Sequence, residues 1–245
     1  MTFTPSAAQL RFYDWIKNDS GNCILNAVAG SGKTTTILNG LDTMRGTAFF
    51  GVYNKKMADE IKEKIVGNPK LAKRAQFQAD EQITTSTFHA LGMSIVSSIT
   101  YPNRPDVDGK KVKRIIDLII EEKEGVANQR RNDLRELAGP IEKLVSMAKN
   151  RGFVPPAQVR DGLSNWDNVA AWIVMADQFD IGETLDESQM DTAIAFARTV
   201  LRKSTDDLST IDFDDMVFLP LAKRVNLRSW HQFQWVLVDE AQDTN

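Results

Sequence analysis

The chain has 245 residues, 42% of them hydrophobic and 26% charged, enough to bury a core and unlike disordered, collagenous or low-complexity chains. One cysteine, Cys23, excludes an internal disulfide framework, and two histidines, His89 and His231, argue against a Cys/His zinc site. The net charge of -3 is uneven: residues 1–100 carry 11 basic and 8 acidic side chains, 101–150 carry 11 and 9, and 151–245 carry 8 and 16. A polyanion would therefore meet a local surface of the first 150 residues, although an ordinary fluctuation of charge on solvated faces explains the same numbers. No apolar stretch approaches the roughly 18 residues that span a bilayer. Met1-Thr2-Phe3-Thr4-Pro5 lacks a basic head followed by an apolar run, so no membrane partner and no secretion are expected, and a reducing compartment is.

In chain order, residues 5–18 read as a helix, with Pro5 in its first turn and Phe12, Trp15 and Ile16 among its apolar residues. Residues 23–27 read as a short apolar strand, 33–44 as a helix, 47–53 as a strand, and 55–66 as a helix. Residues 82–86 read as a third strand and 88–98 as a helix. Strand alternating with helix predicts a parallel sheet with crossover helices. Residues 101–108 are a linker by composition, and from about 110 to 203 only helical periods occur. The stripes are Val112/Ile115/Ile116/Ile119, Ile141/Leu144/Val145/Ala148 entered through Pro140, Trp166/Val169/Ala170/Ile173 capped by Asn165, and Met190/Ile194/Ala197/Leu201. Plain core packing explains all four, and none is assigned a ligand. Trp235–Val238 then reads as a fully buried parallel strand ending at Asp239-Glu240. The expected fold is an α/β parallel sheet, residues 1–100 with 206–245, interrupted by an all-helical insertion at 101–205.

Ala27-Val28-Ala29-Gly30-Ser31-Gly32-Lys33-Thr34 fits a P-loop, with Ala in the first glycine position, set between a predicted strand and a predicted helix. Small residues let the backbone wrap a phosphate, and the following helix turns its positive end to the anion. In such a loop Lys33 reaches the β- and γ-phosphates and the Thr34 hydroxyl ligates Mg2+. Asp239 at a strand end beside the loop would help to hold the metal, and Glu240 would orient and deprotonate the attacking water. A strand-end Asp-Glu pair alone is commonly just solvated; the P-loop is what gives it meaning.

These residues resemble the UvrD/Rep helicases of superfamily 1. Asp239-Glu240-Ala241-Gln242-Asp243-Thr244-Asn245 resembles motif II, in the form that separates 3′ to 5′ members from relatives moving 5′ to 3′. Thr4-Pro5-Ser6-Ala7-Ala8-Gln9 resembles the Q motif, Ala27–Thr34 motif I, Tyr53-Asn54-Lys55 motif Ia and Thr87-Phe88-His89 motif Ib. Asp212-Phe213-Asp214-Asp215-Met216 resembles an acidic-aromatic segment upstream of motif II. Three positions depart from the family pattern: Val52 stands where motif Ia has an aromatic, Tyr53 where it has Thr, and Thr35 where many relatives have Arg.

The resemblance implies a RecA-like P-loop domain, called 1A, with a helical 1B insertion. It implies ATP and Mg2+ as cofactors, with ATP held by Gln9, Ala27, Val28, Ala29, Gly30, Ser31, Gly32, Lys33, Thr34 and Thr35. The metal falls to Thr34 and Asp239, and the chemistry to Glu240, Lys33 and Gln242. Single-stranded DNA is the implied partner, contacted by Tyr53, Asn54, Lys55, Thr87, Phe88 and His89. On the residues alone, a core Phe88, a hydrogen-bonded His89 and solvated lysines are the plainer reading. The resemblance further implies that motif III, a second RecA-like domain and its arginines are missing from these 245 residues, the N-terminal half of a helicase. The implied setting is the cytoplasm of a bacterial or phage-infected cell, or a eukaryotic nucleus. A stand-alone nucleotide-dependent binding or regulatory protein without motor activity is the alternative, and a small-molecule P-loop kinase fits poorly because no lid segment is evident.

Overall fold

In the computed structural model, which describes residues 4–18, 20–28, 30–75, 81–122, 128–228 and 231–243, the chain is mixed α/β and divides into two compact units. The first comprises residues 1–88 with 227–245, the second residues 89–226. The segment marked by composition, 101–205, lies inside the second unit, which also holds most of the helix before it and the whole helix after it. Among the described residues no helix is long and apolar enough to cross a membrane.

The first unit contains α1 (Ala7–Asn18), α2 (Lys33–Leu41), β1 (Ala48–Val52), α3 (Lys55–Val66), α4 (Ala72–Ala75) and β2 (Ile83–Thr87). The strand Trp235–Val238, β7, returns to it from the far end of the chain. All five residues of β1 are buried, as a central strand requires. It pairs in parallel with β2 and with β7, in the order β2-β1-β7, with Val52 opposite Thr87 and Gly51 opposite Val238. Parallel neighbours need a crossover, and α3 supplies it between β1 and β2 by packing Ala58, Ile61 and Ile65 into the core beneath the sheet. Ile16 of α1 and Ile37 and Leu41 of α2 join the same core.

Three expectations are corrected here. Residues 23–27 form no strand, and Ile24 is 92% exposed. Strand pairing is non-local, and five apolar-leaning residues do not dictate it. With no strand on its outer side among the described residues, β7 is an edge strand, and Val236 is 61% exposed instead of fully buried. Pro5 precedes α1, because Ser6 and Gln9 form a reciprocal cap: the Ser6 N–H donates to Gln9 Oε1 at 2.8 Å and the Gln9 N–H to Ser6 Oγ at 3.3 Å. Arg74, buried in α4, donates to the carbonyls of Leu41, Met44, Gly46 and Glu81 and so ties the end of α2 to the start of β2. Burial pulls its guanidinium pKa below the ordinary value.

The second unit is mostly helical. α5 (Phe88–Thr100), α6 (Lys111–Glu122), α7 (Asn128–Glu136), α8 (Ala138–Asn150), α9 (Val169–Gln178), α10 (Glu187–Asp206) and α11 (Phe213–Ala222) follow in order. Helical periods miss its two-residue parallel pairs, β3 (Asp106–Val107) with β6 (Thr210–Ile211) and β4 (Phe153–Val154) with β5 (Ser164–Asn165). α8 lies at the centre of the core: Ile141, Leu144, Val145 and Ala148 are all 0% exposed. The stripes in α6, α8 and α10 face this core, as the 3.6-residue period requires. The stripe expected around α9 does not. Trp166 precedes the helix, Asn168 and not Asn165 caps it, and Val169, Ala170 and Ile173 face out while Trp172, Met175 and Ala176 are buried. α9 is apolar nearly all round, so its period does not choose a face. Where α5 meets α11, a Cβ on Gly92 would lie 2.0 Å from the Met216 carbonyl oxygen, so only glycine fits.

The acidic-aromatic segment becomes a buried charge cluster. Asp212 caps α11 in a reciprocal pair with Asp215. Lys111 Nζ meets Asp215 at 2.8 Å, and Lys149 Nζ meets Asp212 at 2.5 Å and Asp215 at 2.8 Å. Lys111 also donates to the Ser204 and Asp207 carbonyls at 2.6 and 2.8 Å. Two cations thus balance two anions at ion-pair distance, the pairing that lets buried charge be tolerated.

Candidate nucleotide site

The carboxyl ends of the three strands in the first unit lie along one edge of the sheet, where open α/β sheets bind ligands. One residue beyond them stand Tyr53, Phe88 and Asp239. The loop before α2 turns on Gly30 at φ +73° and Gly32 at φ +84°, left-handed values that a side chain would strain. Gly32 caps α2 and brings no side-chain acceptor, so the first-turn N–H groups face outward at the positive end of the helix. Lys33 Nζ donates to the Ala27 carbonyl at 3.2 Å, which folds its cation back over the loop.

Thr34 and Asp239, 205 residues apart, meet directly: the hydroxyl donates to Asp239 Oδ2 at 2.8 Å. Asp239 is 4% exposed, and its N–H extends the ladder to Gly51 O at 3.1 Å. A hydroxyl and a carboxylate at this spacing are hard oxygen donors suited to Mg2+. Among the described residues no group of three or more His, Cys, Asp or Glu could hold a metal, so such an ion would complete its shell with phosphate oxygens and water. Glu240 follows at φ +51°, a costly conformation for a side-chain-bearing residue, and its N–H donates to Asp239 Oδ1 at 3.1 Å. The Gln242 side-chain amide contacts the Glu240 carboxylate. The left-handed backbone at Glu240 ends the extended run of the strand directly after Asp239.

The remaining residues of the nucleotide set divide by exposure. Val28, Ser31 and Thr35 are exposed, Ala27 is half-buried, and Ala29 lies outside the described residues. Gln9 is 27 residues from Thr36 in sequence but joins it through Nε2 at 2.8 Å. Thr36 is a residue that the motif spacing did not single out; a polar side chain in the buried stripe of α2 is the signal that could have found it.

Of the residues expected at DNA, Tyr53 is 60% exposed and Lys55 and His89 are exposed. Asn54 caps α3 by accepting from the Met57 N–H at 2.9 Å. Thr87 ends β2. Phe88 is half-buried: its ring lies edge-on to Phe49 at 5.8 Å, and its Cζ fills the space that a Cβ on Gly51 would need. The structure therefore brings Gln9, Lys33, Thr34 and Asp239-Glu240-Gln242 around the loop, and gives Phe88 a packing contact.

Residues 14–245 match the UvrD/REP helicase N-terminal domain. The chain is 26% identical over 239 residues to the ATP-dependent DNA helicase Rep of Buchnera aphidicola subsp. Baizongia pistaciae (strain Bp), covering 92% of this chain and 30% of that protein. It is 26% identical over 238 residues to ATP-dependent DNA helicase Rep of Escherichia coli (strain K12), covering 92% and 31%. The chain thus spans about a third of the length of the curated relatives it matches. Since the family match takes in both the loop before α2 and the Asp239-Glu240 pair, the chain belongs to the UvrD/REP helicase family, in the region of its N-terminal domain.

Proposed function

We propose that these residues form the ATP-binding and single-stranded-DNA-binding part of a DNA helicase that moves 3′ to 5′. In this reading residues 1–100 with 206–245 are the RecA-like 1A domain and 101–205 the 1B insertion. The observation that carries it is the Thr34–Asp239 contact, which brings the two ends of a split nucleotide motif to one point beside the glycine turn.

Mg2+, when bound, neutralises charge on the β- and γ-phosphates. Thr34 and Asp239 would hold it, exchanging their mutual hydrogen bond for the ion. Lys33 gives up the Ala27 carbonyl for a phosphate oxygen. Glu240 accepts a proton from the water that attacks the γ-phosphorus, the bond to the β-bridging oxygen breaks, and ADP and phosphate leave. Gln242 holds the Glu240 carboxylate in place. Gln9 keeps one N–H and one lone pair beyond its present hydrogen bonds, a match for adenine N7 and the N6 amino group. Tyr53 offers an exposed ring for base stacking, and Asn54, Lys55, Thr87, Phe88 and His89 complete the strand-end surface facing DNA. The 3′ to 5′ direction follows the Asp239–Asp243 motif. Arginines from a second RecA-like domain outside these residues would stabilise the transferring phosphate, a contribution of about 10³- to 10⁵-fold in rate.

The test is a polypeptide of residues 1–245 alone. It should bind Mg-ATP, bind single-stranded DNA weakly with a steep loss in salt, hydrolyse ATP near background and unwind nothing. No Mg-ATP binding, or robust strand separation that a Lys33→Ala control abolishes, overturns the reading.

A further inference from the structure

Gln9 is held at both ends of its amide. Oε1 accepts from the Ser6 N–H at 2.8 Å and Nε2 donates to Thr36 Oγ1 at 2.8 Å. The Thr36 hydroxyl donates in turn to the Gly32 carbonyl at 2.8 Å. Thr36 is 1% exposed, so water does not compete for these bonds. A hydroxyl has one proton, and Thr36 spends it on Gly32; its lone pair must then receive an N–H, which fixes the Gln9 amide nitrogen toward α2 and its oxygen toward Ser6. The result is a directed chain, from Gln9 N–H to the Thr36 hydroxyl to Gly32 C=O, and Gly32 is the left-handed residue on which the phosphate loop turns.

We propose that Thr36 is a positioning residue for base selectivity: its buried hydroxyl locks the Gln9 amide in the one orientation and place that suits adenine, and anchors it to the glycine of the phosphate loop. This rests on the reading above that Gln9 meets the base. Adenine offers an acceptor at N7 beside a donor at N6, whereas guanine offers two acceptors, N7 and O6, so an amide whose oxygen cannot exchange places with its nitrogen discriminates between them. Without the hydroxyl the amide keeps only the Ser6 tether and swings about it.

The experiment measures Mg-ATP, Mg-GTP and Mg-tripolyphosphate affinity by competition against a fluorescent nucleotide, on the 245-residue chain and on Thr36→Val, Thr36→Ser and Gln9→Ala, with melting curves. Val matches Thr in shape, so the fold should hold. Thr36→Val should weaken ATP about 5- to 10-fold, the worth of one hydrogen bond, with GTP and tripolyphosphate within about twofold of the parent. Thr36→Ser should keep the parental ATP:GTP ratio, and Gln9→Ala should lose it. If Gln9→Ala loses the ratio and Thr36→Val keeps it, Thr36 plays no positioning part, while Gln9 still reads the base. If Gln9→Ala keeps the ratio, Gln9 does not read the base and the relay falls with it. An equal loss in Thr36→Ser and Thr36→Val, or an equal loss of tripolyphosphate, assigns the effect to packing or loop shape and overturns the proposal.

Discussion

Lys33 and Glu240 sit on the same small site but fail differently when changed. Lys33 contributes a charge to a loop and donates to the Ala27 carbonyl, without filling the core, so Lys33→Ala should leave the melting temperature unchanged. It should weaken Mg-ATP by more than about tenfold, because a charge-assisted contact to phosphate is lost. Titration with a fluorescent ATP analogue checks this, and equal affinity in variant and parent contradicts the role. Glu240→Gln keeps the shape and the left-handed backbone but takes no proton. In a full-length helicase containing these residues, it should bind Mg-ATP as tightly as the parent while turnover falls at least about 10²-fold. Turnover near the parental rate would mean that another group takes the proton. Most of this site was legible residue by residue, because phosphate binding demands glycine, lysine and hydroxyl at fixed offsets. Thr36 was not: its importance comes from Gln9, 27 positions away, and no local pattern records that approach.

At the scale of elements, local spacing served well where a helix has one apolar face. α3 runs over 55–66 as its period predicts, and the α8 stripe is buried without exception. It failed in α9, whose outward face is as apolar as its inward one, and at 23–27, where a strand needs a partner that the segment does not find. It was also silent on the charge cluster at the start of α11. Asp212 and Asp215 look like a solvated acidic run, yet tertiary packing buries both and supplies Lys111 and Lys149 from α6 and α8. That pairing carries a sharp expectation. Lys149→Met preserves the length of the side chain and its apolar stem but leaves Asp212 with no cation and Asp215 with one. The uncompensated buried charge should destabilise the second unit by about 3–5 kcal/mol. Urea denaturation followed by helical circular dichroism measures it, and a change below about 0.5 kcal/mol would mean that solvent already reaches these carboxylates.

At the scale of the molecule, the buried apolar residues among those described gather into two cores that share no residue. One gathers Ile16, Leu41, Phe50, Val52, Ile61 and Ile83 around the parallel sheet. The other gathers side chains from Met93 to Ala222 around α8. The nucleotide residues Gln9, Lys33, Thr34 and Asp239 all belong to the first unit, and the buried Lys-Asp cluster belongs to the second. A unit that closes its own core, pairs its own buried charges and caps α9, α10 and α11 from within has what independent folding requires. Residues 89–226, made alone, should therefore melt cooperatively with helical circular dichroism and bind no Mg-ATP. The cut at 89 falls beside the half-exposed Phe88, and the cut at 226 falls in the irregular stretch after α11, so neither severs the core. Dispersed amide resonances and a single unfolding transition are the expected observations. A molten or aggregated product would show that the sheet unit is needed to hold α5 against α11, where Gly92 lets the two backbones touch. The same fragment carrying Lys149→Met should lose stability by as much as the intact chain does, because every partner of Lys149 in the cluster lies between residues 89 and 226.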